Sequence, residues 1–236
     1  MQADDLKNQN FNLQKKIDAQ NKAIEEKDAK ISELTQKNNE WNSFASNQSS
    51  VIKELQEKIK QQENYLISLR NDILQALQEA LGTPDGLEVV IKDGKIHIVI
   101  HDNASTKTNG LVFFDKGSDV IKPEGAATMK KIATALVNQN NTKKLSIIVE
   151  GHTDNDPLSG KNSKFKDNWD LSASRAANVV RMLVDNGFPP NNVSASGRSE
   201  FCPASLGNSE DDKALNRRIE IIIDPNLEKL FNILKE

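Results

Sequence analysis

Gly151-His152-Thr153-Asp154, then Asn168-Trp169-Asp170-Leu171-Ser172-Ala173-Ser174-Arg175-Ala176, then Asn216-Arg217-Arg218-Ile219-Glu220 are the stretches whose reading decides the fold. Leu145 to Glu150 reads as a short buried strand that ends at Gly151. A helix is expected to start near Leu171-Ser172, with Ala173, Ala176, Ala177, Val180, Leu183 and Val184 as its apolar face. Asp154 then sits at a strand end, and Arg175 is expected in the first turn of the helix, where free N–H groups also favour an anion. An ionised Asp accepts an ammonium, and the planar fork of an Arg matches a carboxylate. Together they can clamp a zwitterion. The alternative is an Asp154–Arg175 ion pair that only staples strand to helix.

Working outward, Leu87–Lys92 and Lys95–Ile100 are β-rich, and Asp93-Gly94 between them suits a two-residue hairpin turn. His97 and His101 share one strand face; without a third ligand at metal spacing they read as surface or edge histidines. A further strand is expected over Leu111-Val112-Phe113-Phe114-Asp115. Pro123 suits the first turn of a helix whose apolar residues include Met129, Ile132 and Leu136. Gly187 and Pro189-Pro190 stop the helix that carries Arg175. Val193–Gly197 and Ile219–Asp224 read as strands, and Leu227 to Leu234 as a short closing helix. The order implies an α+β domain, a two-layer α/β sandwich with a mixed sheet and its helices on one face.

The first 81 residues differ. They contain no Gly and no Pro, whereas all 11 Gly and 7 Pro follow them. With position a at Ile17, the heptad a positions include Ile24, Ile31, Ile52, Ile59, Leu66 and Ile73, and the d positions Leu6, Leu13, Leu34, Leu55 and Leu69. Ile at a with Leu at d favours two parallel helices, and Asn10 and Asn38 at a favour register over stability. Gln20, Lys27, Gln48 and Gln62 weaken the seam, and a hairpin folded back near residues 46–50 is the alternative. The expected organisation is a coiled-coil rod over 1–81, roughly 120 Å long at ~1.5 Å per residue, a linker over 82–86, and a globular domain over 87–236.

A net charge of −3 supplies no basic field for nucleic acid. The single cysteine, Cys202, excludes an intramolecular disulfide. No apolar run reaches the roughly 18–20 residues of a membrane span. Since Met1 leads straight into a polar helical pattern, the expectation is that an export signal or membrane anchor lies outside this chain. No cofactor or metal is expected. An enzyme would have to use His152 with Asp154 and Ser172; Ser172 reads instead as a helix cap, with no nucleophile-elbow glycines around it.

Four blocks in order carry a resemblance: Phe114-Asp115-Lys116-Gly117-Ser118, Glu150 to Asp154, Asn168 to Ala176, and Asn216 to Glu220. Over roughly residues 85–224 the chain resembles the OmpA-like peptidoglycan-binding domain. The longer loop from Asn155 to Asp167 is similar to the MotB-like branch. The resemblance implies non-covalent binding of the peptidoglycan stem peptide, with Asp154 on the ammonium of diaminopimelate and Arg175 on its carboxylate. Asn168 and Thr153 would line the site. Of Arg217 and Arg218, one would face the ligand and the other be structural. It further implies a protein on the periplasmic side of a Gram-negative envelope, anchored to the outer membrane as a lipoprotein or through a membrane segment outside this chain. Arg198-Ser199-Glu200 stands where the family often has an aromatic after the glycine, which alters the rim of the site.

Overall fold

The computed structural model describes residues 2–82, 86–101, 113–158 and 164–224. It divides into two compact units, Met1–Gln61 and Gln62–Glu236. The expected strand residues Leu111-Val112, most of the 82–86 linker and the closing helix lie outside the described residues.

The first unit is helical. Helix α1 spans Gln2–Leu81, uninterrupted as the absence of Gly and Pro permits. Its heptad residues Ile17, Ile24, Ile31, Leu34, Ile52 and Leu55 are all exposed. Surface pairs such as Lys30–Glu33 and Lys37–Glu33, at 2.8 and 2.7 Å, lie at helical spacing on its exposed face and are screened by solvent.

The second unit begins inside the same helix. Leu66, Leu69, Ile73 and Leu77 are buried and join one core with Val89, Ile98, Met129, Leu136, Val149 and Val179. The Arg70 Nε donates to the Val89 carbonyl at 3.0 Å. The heptad pattern places the end of the rod at Leu81, yet the last turns of α1 bury their apolar stripe in the core of the globular unit. The division by contacts therefore falls about twenty residues before that expected boundary.

Among the described residues the sheet has five strands in the order β1-β2-β5-β3-β4. They are β1 (Leu87–Lys92), β2 (Lys95–His101), β3 (Ser146–His152), β4 (Val193–Gly197) and β5 (Arg218–Asp224). Among these strands β3 and β4 run parallel, and the other three pairings are antiparallel. The β1–β2 turn places Asp93 at φ 51° and Gly94 at φ 71°, the left-handed pair that such a hairpin needs. Side chains alternate, so Ile96, Ile98, Ile100, Ile147, Val149, Ile219, Ile221 and Ile223 enter the core. His97, His101, His152, Arg218 and Glu220 fall on the opposite strand positions, and all five are buried.

Helix α2 (Pro123–Lys143) starts with Pro at its first turn and ends at Lys144 in the left-handed conformation. Helix α3 (Asn168–Asp185) begins earlier than expected. Asp167 is the cap, its carboxylate accepting from the Asp170 amide at 3.1 Å. Ser172 therefore lies within the helix and is fully buried. Helix α4 (Glu210–Asn216) was not anticipated, although Ser209 and Asp212 form the reciprocal capping box that marks its start.

Glycines let α3 lie directly on the strands. A Cβ on Gly151 would sit 2.2 Å from the Ser172 carbonyl oxygen, and one on Gly197 would sit 2.7 Å from the Ala173 amide nitrogen. The start of α3 is thus fixed over the C-terminal ends of β3 and β4, where Thr153 and Asp154 emerge.

Candidate functional site

The chain leaves β3 at His152 and turns at once. The turn is tied to the segment that follows β4, with the Thr153 amide donating to the Ser199 carbonyl at 3.0 Å. The Asp154 carboxylate accepts from the Asp156 amide at 3.2 Å, and the Asn168 amide donates to the carbonyls of Asp154 and Asp156 at 3.4 and 3.2 Å. Thr153, Asp154 and Asn168 are all buried. Asn168 therefore braces the turn that presents Asp154. Asp156 points to Lys213 at 2.8 Å and Lys116 at 3.1 Å. The Lys213 and Lys116 ammoniums hold its carboxyl below the usual range, so it stays a separate anion from Asp154.

Asp154 forms its short ion pair with Arg217, Oδ2 to guanidinium 2.7 Å. Arg175 is two turns into α3, not in its first turn, because the helix starts at Asn168. Its Nε donates to the Ser118 carbonyl at 2.9 Å and a terminal nitrogen to the Asp115 carbonyl at 3.2 Å. Its guanidinium stands 4.8 Å over the Phe114 ring. Arg175 thus braces the 115–118 turn while lining a small cavity that Phe113, Phe114, Arg217 and Arg218 also line. Arg217 is the link at this end of the sheet, paired with Asp154 and lining the same cavity as Arg175.

The tandem arginines separate at the C-cap of α4. Arg217 reaches Asp154, and its side chain keeps 17% exposure. Arg218 is fixed by Glu220 at 2.7 Å, the Cys202 carbonyl at 3.1 Å and the Asn216 carbonyl at 3.5 Å. It belongs to a buried polar network across the sheet, where His97 Nδ1 lies 2.8 Å from Glu220. The His97 and His101 expectation is corrected here: both are buried on an interior strand, His101 with its ring nitrogen 3.2 Å from the Leu215 carbonyl. Among the described residues no group of His, Cys, Asp and Glu is placed to hold a metal ion.

Burial works to raise the carboxyl of Glu220, but hydrogen bonds from His97 and Arg218, with the Arg218 charge, hold it at about 2. Burial first, then the Arg218 charge, lowers the imidazole of His152 to about 3, so it is neutral. Its ring nitrogens make no hydrogen bond among the described residues. His152 alternates to the sheet face away from α3, whereas Ser172 hydrogen-bonds to the Trp169 carbonyl and the Ser199 amide. The residues of the enzyme reading are therefore held on different sides of the sheet.

Two site residues escaped the sequence reading. Phe114 lies under Arg175. Asp119 is buried and accepts from Lys164 at 2.8 Å and Ser174 at 2.6 Å, while Asn178 holds its carbonyl at 2.7 Å. Burial opposes the charge of Asp119, and the Lys164 and Ser174 bonds overcome it and lower its pKa. A polar residue spaced along α3, such as Ser174 with Asn178, was the available signal.

Residues 113–217 match the OmpA family. Motility protein B of Bacillus subtilis (strain 168) is 34% identical over 144 residues, which cover 61% of this chain and 47% of that protein. Outer membrane protein A of Bordetella avium is 33% identical over 116 residues, 49% of this chain and 55% of that protein. The crystal structure of the periplasmic domain of Helicobacter pylori MotB superposes with a TM-score of 0.54 at 26% identity, covering 66% of this chain and 91% of that one. The chain spans about half the length of the motility proteins it matches. The segment that holds Asp154, Arg175 and Arg217 matches the OmpA family model and is similar to MotB proteins in both sequence and fold.

Proposed function

We propose that this chain binds peptidoglycan non-covalently through the stem peptide, with diaminopimelate as the recognised residue, and tethers an envelope protein to the cell wall. The observation that carries this reading is the Asp154–Arg217 ion pair beside the small cavity that Arg217 lines together with Arg175. The arrangement offers one carboxylate and planar guanidinium groups to a ligand carrying both charges on one carbon. Charge-assisted hydrogen bonds contribute about 1.5–3 kcal/mol each, and two or three on an exposed ligand give roughly micromolar affinity. Thr153 and Asn168 shape the turn, and Arg218 supports it from the buried network. The site binds and does not cleave.

The exposed heptad stripe supports a parallel coiled-coil homodimer, which would present two sites and raise binding to a sacculus through avidity. The protein is read as standing on the periplasmic side of a Gram-negative envelope, held at the outer membrane by a lipoprotein or other anchor.

The test is co-sedimentation with purified sacculi. Asp154→Ala, with its fold checked by circular dichroism, is expected to lose binding; undiminished binding would sink the proposal. Release of soluble muropeptides would refute the non-catalytic reading. Similarity to motility protein B favours a second reading, a flagellar-stator-like subunit. Among the described residues no helix is long and apolar enough to cross a membrane. In the full gene, an upstream membrane-spanning helix bearing an Asp would support the motor, and a lipoprotein signal the outer-membrane anchor.

A further inference from the structure

The sheet face turned away from α3 carries a cleft of about 580 Å³, an ordinary size for a small-molecule site. Asp154, Arg175 and Arg217 are not among the described residues that line it. Its polar side is built from His152, Glu150, Arg198, Glu220, Arg218 and His97, and Val90, Val99 and Pro203 add apolar surface.

Three of these polar groups already satisfy one another. Glu220 takes His97 on one oxygen at 2.8 Å and Arg218 on the other at 2.7 Å. The other three surround a gap. His152 is 3% exposed, and neither ring nitrogen has a hydrogen-bond partner among the described residues. Its Nε2 stands 3.7 Å from a Glu150 oxygen and 3.6 Å from a Glu220 oxygen. The same Glu150 oxygen lies 3.7 Å from the Arg198 Nε. All three separations are too long for a hydrogen bond. Buried polar atoms left in this way are costly, and a ligand that supplies their partners recovers the cost.

The charges around the gap narrow the ligand. Glu150 and Glu220 are register partners on β3 and β5, so an anion would meet two carboxylates. A cation would meet Arg198, Arg218 and Lys92, whose charges join burial in keeping the His152 imidazole neutral. A neutral imidazole has one N–H to donate and one nitrogen to accept. An uncharged molecule rich in hydroxyls matches this set. One hydroxyl donates to Glu150 and accepts from Arg198, its neighbour pairs with the imidazole, and the C–H face of a sugar ring rests on the apolar side.

We propose that this face of the sheet holds a second binding site, for an uncharged sugar, with His152, Glu150 and Arg198 binding its hydroxyls. The site does not depend on the stem-peptide reading, because Asp154 lies outside it.

The experiment follows the histidine ring nitrogens of the full chain by NMR at neutral pH. Two probes are titrated, chitotriose and maltotriose. At least one is expected to move the His152 nitrogens in a saturable way, with a millimolar dissociation constant. A response to chitotriose alone assigns the site to an amino-sugar glycan, and one to maltotriose alone to a plain glucan. Glu150→Gln is expected to weaken the binding by about tenfold, the worth of one charge-assisted hydrogen bond. Asp154→Ala is expected to leave it within about twofold. No shift with either sugar up to its solubility overturns the proposal, leaving the cleft to water. A shift with sulfate or methylammonium in place of the sugars overturns it too, in favour of a charged ligand. Loss of the sugar response in folded Asp154→Ala places the sugar at the first site and also overturns it. Should Glu150→Gln not fold, Arg198→Gln replaces it, since that side chain is 46% exposed. Unchanged sugar affinity in the folded variant overturns the three-group site.

Discussion

Asp154 and Arg175 carry the same formal charges that a surface staple would, but their surroundings assign them different work. Arg175 hangs the 115–118 turn and Phe114 from α3, so Arg175→Ala removes two backbone hydrogen bonds and a ring contact. It is expected to cost about 2–4 kcal/mol in denaturant unfolding, which a binding assay of that variant must control for. His152 gives a residue-level test that needs no ligand. Below about pH 6.5 the unfolded chain protonates this imidazole, while the folded chain keeps it neutral down to about 3. The unfolded state then binds the extra proton, and stability falls with pH by up to about 1.4 kcal/mol per unit across that window. The depressed Glu220 acts in the same sense, with stability lost as pH drops from its ordinary 4.5 toward about 2. His152→Gln is expected to flatten the dependence between pH 6 and 4.5 in urea titrations. An unchanged slope would show that His152 does not carry it.

At the scale of elements, the site depends on how closely α3 lies on β3 and β4. Gly151 and Gly197 permit this contact, and both face backbone or near-backbone atoms of α3 at less than 3 Å from any added Cβ. Gly151→Ala is expected to cost about 1–3 kcal/mol or more, because a helix cannot shift as a flexible side chain does. It should also weaken muropeptide binding by displacing Thr153 and Asp154; full stability in a thermal melt would contradict the packing. The capping box of α4 makes a milder case. Ser209→Ala is expected to cost about 1 kcal/mol. The strands of the sheet and most helices were legible from period and punctuation, down to the Asp93-Gly94 turn, but the strand expected over Leu111-Val112-Phe113-Phe114-Asp115 is, in its described residues, only an isolated bridge between Phe114 and Ile121. The start of α3 was not legible, since Asp167 and Ser172 both make acceptable caps in sequence and only the packing of Ser172 against Ser199 separates them.

For the whole chain, the two compact units make opposite predictions for two truncations. Removing residues 1–61 is expected to leave a folded, muropeptide-binding unit. Removing 1–81 also removes Leu66, Leu69, Ile73 and Leu77 from the core, at about 1.5–3 kcal/mol for each buried side chain. The shorter fragment should be marginal or unfolded, and equal melting temperatures for the two would show that the last turns of α1 are dispensable. The exposed stripe of the first unit makes a separate prediction. Ile24→Asp with Ile31→Asp should convert the expected dimer to a monomer in sedimentation equilibrium. Sacculus affinity should then drop by about 10²-fold or more as avidity is lost.

The sequence by itself determined the secondary structure of most segments, the mixed sheet with its helices on one face, and the residue types of the site. Those follow from local rules: period 2 or 3.6, the placement of Gly and Pro, and a few polar blocks in fixed order. Only the tertiary structure decided how the charges pair. Arg217 and Arg218 are neighbours in sequence, yet one leaves the cap of α4 toward Asp154 and the other, first residue of β5, joins Glu220 within the sheet. The same holds for the heptads. Residues 66 to 77 continue the pattern of residues 17 to 59 without a break, and burial in the domain core is what separates them. An apolar stripe specifies that a surface will be covered; what covers it is settled by which surfaces the fold brings within reach.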